Sequence, residues 1–131
     1  MILIADLLAI AEAKLNDASV LFINGRTAGA EYVCGYAVEM ALKARICKTL
    51  NCPGFPENRS EFENYASFRT HKLDVLLSLS GEEQRIKADH ILEWSYVAEW
   101  NPEVRYSATD TANRDDVALM ITSTETLLRV L

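Results

Sequence analysis

The chain is poor in residues that break helices. Five glycines and three prolines are spread over 131 residues, while Ala, Leu and Glu are common, a balance that favours helix. No region alternates apolar and polar residues for long, so no sheet is expected. No apolar run is long and uncharged enough to span a bilayer. The opening "MILIADLLAIAEAKL" is interrupted by Asp6 and Glu12 and lacks the basic start of a secretory leader. Cysteine is scarce as well. Cys34, Cys47 and Cys52 make an odd number without disulfide spacing, and neither His71 nor His90 completes a recognisable zinc pattern with them. Reduced thiols in a cytoplasmic protein are therefore expected, with no metal and no cofactor. Basic residues are in deficit: 13 Lys and Arg face 19 Asp and Glu, for a net charge of −6. That balance opposes broad coating of a phosphate backbone but leaves room for a local basic cleft.

What is present is helical periodicity, on a scale that suits one domain over residues 1–131. Ile4, Leu8, Ala11, Leu15, Ala18 and Phe22 step by four and three, which predicts a first helix over 4–22. Gly25 marks its end and Thr27 caps a second helix over 28–50. That second helix is apolar on opposite faces. Ala30, Val33, Ala37, Met40, Ala44 and Cys47 form one face, and Gly35, Val38, Leu42 and Ile46 the other. Tyr32, Tyr36, Glu39 and Lys43 run between them. Such a helix is central and must be covered on both sides, with a second subunit expected over one of them.

Residues 51–69 read as a long irregular segment, with one helical turn opened by a Ser60–Glu63 capping box. Thr70 is the expected cap of a third helix with Leu73, Leu76 and Leu77 buried and Gly81 as its stop. A Ser80–Glu83 box opens a fourth helix reaching Trp100, "NPEVRYSATD" over 101–110 is a loop, and a last helix follows. The expected fold is all-α, an antiparallel up-and-down bundle of four to five helices.

Three fragments in this order, "GRTAGAEYVCGYAVEMALKARI", "THKLDVLL" and "VRYS", resemble the HEPN domain family over nearly the whole chain. The resemblance implies a helical bundle that commonly dimerises. It also implies a place among non-catalytic binding modules, toxins partnered by small nucleotidyltransferases, or metal-independent ribonucleases. The family's ribonuclease signature, an Arg followed by a His after four to six residues, is matched by "RIKADH", Arg85 and His90. On that reading His90 assists attack of a ribose 2′-hydroxyl and Arg85 steadies the phosphate charge. On one ideal helix, however, the two point roughly 140° apart, and His90 shares a face with Ile86, Ile91, Trp94 and Val97, which equally fits a core histidine.

Arg105 and Tyr106 match the family's "RY" pair, and Arg105 is a candidate partner for Glu39 or for a nucleotide phosphate. His71, expected in the first turn of the third helix, is an exposed or structural residue or, alternatively, a binding or catalytic one. Glu39, a carboxylate between apolar faces, requires a cation, Lys43 or Arg105. The favoured expectation is a dimeric module that binds a nucleotide, RNA or a partner protein, such as a nucleotidyltransferase in a toxin–antitoxin or defence system. The alternative is a ribonuclease using Arg85 and His90.

Overall fold

A computed structural model describes residues 1–107 and 112–131. Of the loop expected over 101–110, residues 108–110 lie outside the described residues. The fold is all-α, with six α-helices among the described residues: α1 (Ile4–Ile23), α2 (Thr27–Thr49), α3 (Leu73–Ser80), α4 (Glu83–Asp89), α5 (Ile91–Ser95) and α6 (Arg114–Val130). No helix among them is long and apolar enough to cross a membrane.

α1 and α2 form a hairpin closed at Gly25, whose φ of +76° is the left-handed conformation glycine adopts without strain. On α1 the buried stripe is Leu7, Ala11, Leu15 and Ala18, while Leu8 is exposed. The stripe is therefore shifted one residue from the expected one at its start.

α2 is the hub. It packs against α1, α3, α6 and the segment that follows Trp100. Val38, Leu42 and Ile46 are buried within this one chain, as are Ala30, Ala37 and Ala44 on the other face. The reason given for a second subunit over Gly35, Val38, Leu42 and Ile46 thus falls away, because neighbouring helices and Trp100 already cover that face. Small residues make this possible: Gly35 lies directly beneath the indole of Trp100.

Three further expectations are corrected. The chain does contain a sheet, a two-stranded antiparallel clasp of β1 (Ile2–Leu3) and β2 (Gly54–Phe55) in the register Ile2↔Phe55. Two residues per strand are too few for alternation to be visible in sequence. Gly54 is required there, because a Cβ would come within 2.6 Å of the Ile2 carbonyl oxygen.

The long helix expected from Ser80 to Trp100 is broken. α4 ends and α5 begins at His90 (φ −135°, ψ 36°), and beyond Ser95 the chain continues in turns. Backbone bonding survives the bend, since His90 N–H donates to Ile86 and Trp94 N–H donates to His90. The bend leaves Ile91 and Leu92 exposed, so the continuous face Ile86–His90–Ile91–Trp94–Val97 does not exist.

The caps also differ. Ser80 Oγ accepts from Glu82 N–H, not Glu83. The turn at Glu61–Asn64 is present but is capped by Asn58. Thr70 Oγ1 accepts from Lys72 N–H, a local turn that delays α3 to Leu73.

Candidate functional site

The site grows from Glu39. Its carboxylate is 1 % exposed, in the middle of the most enclosed helix of the fold. A buried carboxylate is retained only with partners, and two are present. Lys43, one turn along α2, lies 3.4 Å from Oε2. The second partner is His71, whose Nδ1 lies 2.6 Å from Oε1. Paired with an ionised carboxylate, Nδ1 carries the hydrogen, which leaves Nε2 as the acceptor at the far edge of the ring. His71 itself is 59 % exposed. The pair therefore joins the core to the surface, with an inner carboxylate fixing the tautomer and orientation of an outer imidazole.

His71 is held in place by the short turn that Thr70 makes before α3, so it lies in a lead-in segment and not in the first turn of a helix. That segment, Arg69 to Lys72, forms one wall of an open groove of about 770 Å³. The opposite wall is the segment Ala98–Glu103 and Arg105, where a 3-10 turn over Pro102–Tyr106 is capped by the Asn101 side chain on Glu103 N–H. Tyr36 and Trp100 supply aromatic surface, and stand edge to face with centroids 5.0 Å apart. Burial pushes the Tyr36 phenol up to about 12, with Tyr32 and the Glu39 charge adding to the rise and Arg105 opposing it. Tyr36 is consequently a neutral phenol near neutral pH.

Arg105 does not partner Glu39. Its guanidinium lies 3.1 Å from the Tyr106 hydroxyl and 4.6 Å from the centre of that ring. It also donates to the Pro102 carbonyl. The exposed Arg105–Tyr106 pair sits at the groove's edge, and Arg105 lines the groove itself. Arg69, His71, Lys72 and Arg105 thus face a common space. Asp74, Glu99 and Glu103 line the same groove, and Asp74 accepts from the Trp94 indole N–H at 3.0 Å.

Arg85 and His90 are placed differently. Arg85 Nε lies 2.5 Å from Glu82 and its Nη2 donates to the Val130 carbonyl at 2.7 Å, while the other oxygen of Glu82 holds Arg45 at 2.6 Å. The guanidinium ties α4 to the end of α6. His90 is half-buried at the α4–α5 bend, and neither residue lines the groove.

The sequence points to Glu39, His71, Arg105 and Tyr106 separately; the structure brings the first two into contact and places His71 and Arg105 in one groove, with Tyr106 beside Arg105 and outside the groove's lining. Arg69 and Lys72 were not singled out as binding residues with them. The cation cluster in "RTHK" was the available signal for both. The thiols of Cys34 and Cys47 are buried, and burial pushes Cys34 up to about 11 beside Thr124. No family model, curated protein or solved structure matches this chain.

Proposed function

We propose that this chain is a HEPN-like binding module whose groove takes a nucleotide. The observation that carries the reading is the Glu39–His71 pair, a buried carboxylate presenting an exposed imidazole to a space also lined by Arg69, Lys72 and Arg105. Cations on two facing walls suit a phosphate group. Tyr36 offers ring surface for a base. The acidic lining residues Glu99 and Glu103 and the net charge of −6 favour a short phosphate-bearing ligand over a long polyanion. The HEPN resemblance adds its weight through the "THKL" and "RY" fragments, which hold His71, Lys72, Arg105 and Tyr106.

Titration calorimetry with adenosine and guanosine 5′-mono- and triphosphates tests the reading. His71→Ala and Arg105→Ala are each expected to weaken binding by roughly tenfold or more, the value of one charge-assisted hydrogen bond. Arg129→Ala, on the exposed face of α6, is expected to leave it unchanged. Absence of binding at millimolar nucleotide, or equal binding by all variants, rejects the proposal.

The homodimer implied by the resemblance belongs to the same proposal. Its surface lies away from Val38 and Leu42, which are already covered. Light scattering at high micromolar concentration is expected to give twice the chain mass, and the mass of one chain would remove this part of the reading. A small nucleotidyltransferase is the class of partner protein to test by co-purification.

A further inference from the structure

We infer that His71 is a phosphoryl-acceptor site: the buried Glu39 carboxylate holds Nδ1 of an exposed imidazole and leaves Nε2 as a nucleophile at a groove whose lining includes Arg69, Lys72 and Arg105 along with Asp74, Glu99 and Glu103. This does not rest on nucleotide binding, since the donor needs no base. Three features of one place carry it. First, the ring is oriented, and in its neutral form an adjacent carboxylate selects the tautomer. With Nδ1–H directed at Glu39 Oε1, 2.6 Å away, the ring's lone pair is on Nε2. Second, attack through Nε2 makes the ring cationic, and the carboxylate that is already in contact stabilises that charge without reorganising. Third, Arg69 and Lys72, the residues either side of the Thr70–His71 pair, line the same groove and can face the oxygens of an incoming phosphoryl group.

The donor class is a small phosphoramidate or acyl phosphate, which carries a good leaving group. The Nε2 lone pair forms a bond to phosphorus. The bond from phosphorus to the donor's nitrogen or oxygen breaks, and the leaving group departs with that electron pair, as ammonia from the N-protonated phosphoramidate or as a carboxylate from the acyl phosphate. The ring keeps its Nδ1 proton, and the overall charge is shared with Glu39. No electron is gained or lost by the protein.

His90 provides an internal reference. It is the only other histidine of the chain, and no carboxylate pairs with it among the described residues. The folded protein and the same protein in concentrated urea are incubated with potassium phosphoramidate, followed by intact-mass measurement, peptide mapping and phosphorus NMR. The expected result is one acid-labile, alkali-stable phosphoryl group on His71, attached through Nε2. It should form roughly tenfold or more faster in the folded chain than in urea, a gain that one preorganised electrostatic partner can supply. His71→Asn should abolish that adduct with an unchanged circular dichroism spectrum, and His90→Asn should retain it. Glu39→Gln, assayed at a temperature where it is folded, should lose the folded-state advantage. Attachment through Nδ1, equal labelling of His71 and His90, or a folded-state rate no higher than the rate in urea would each overturn the inference.

Discussion

Replacing Glu39 by Ala should cost the protein about 3 kcal/mol of stability. Breaking a buried ion pair by removing one member typically costs roughly 3–5 kcal/mol, because the remaining charge is left uncompensated. Here the group left behind is Lys43, whose side chain is only 13 % exposed. The lower end of the range applies because His71 is open to water and can be rehydrated. Lys43 also keeps its place 5.0 Å from the centre of the Phe55 ring. His71→Ala should cost less, about 1–2 kcal/mol, the value of a hydrogen bond to a charged group with one exposed partner. Urea denaturation monitored by circular dichroism measures both. Equal stability of Glu39→Ala and the parent would mean that the carboxylate is not held as described.

Gly35→Ala should destabilise the fold although alanine is the better helix former. In an open helix the exchange is worth about 1 kcal/mol in favour of alanine. At position 35 the added methyl would run into the five-membered ring of the Trp100 indole, at Cε2, Cδ2 and Nε1. Trp100 is 5 % exposed and has little room to retreat. Overpacking of this kind costs about 1–3 kcal/mol, so the net change is a loss, and the groove wall carrying Trp100 moves with it. Thermal melting, together with tryptophan fluorescence to report the displacement, checks both parts. A stabilised Gly35→Ala variant would show that the indole does not rest on α2. In a Trp100→Ala background, itself destabilised by loss of the buried ring, Gly35→Ala should cost less, because the clash disappears with the ring.

Both effects show what a linear reading could and could not reach. The α1–α2 hairpin was legible because stripes at three- and four-residue spacing and Gly25 are local signals, although Thr27 is the first residue of α2 and not its cap, which is Arg26 without a side-chain hydrogen bond. The enclosure of α2 was legible too, from apolar residues on opposite faces. What covers it was not. Trp100 reaches Gly35 across 65 positions of sequence, and nothing near either residue announces the contact. The same holds for the site. Lys43 was available as a partner for Glu39 because one helical turn fixes it there. His71 was not, since the rest of α2, an irregular stretch, one strand of the clasp and two 3-10 turns lie across the 32 positions that separate it from Glu39. The break at His90 was invisible for the opposite reason. Its sequence continues a helical pattern without Gly or Pro, and tertiary packing of Trp94, which donates to Asp74 on α3, overrides that pattern.

The position of His71 gives the groove a thermodynamic consequence. The imidazole touches a carboxylate that belongs to the core, so a ligand at the rim is also a ligand of the folding equilibrium. One that engages Nε2 and leaves the Nδ1 contact intact binds only the folded chain and raises its melting temperature in proportion to the logarithm of its concentration. One that draws the ring outward must supply the solvation that Glu39 loses, and its apparent affinity is lowered by that amount. Selection at this groove therefore acts through geometry as well as charge: ligands that fit the imidazole where it stands are favoured over ligands that would move it.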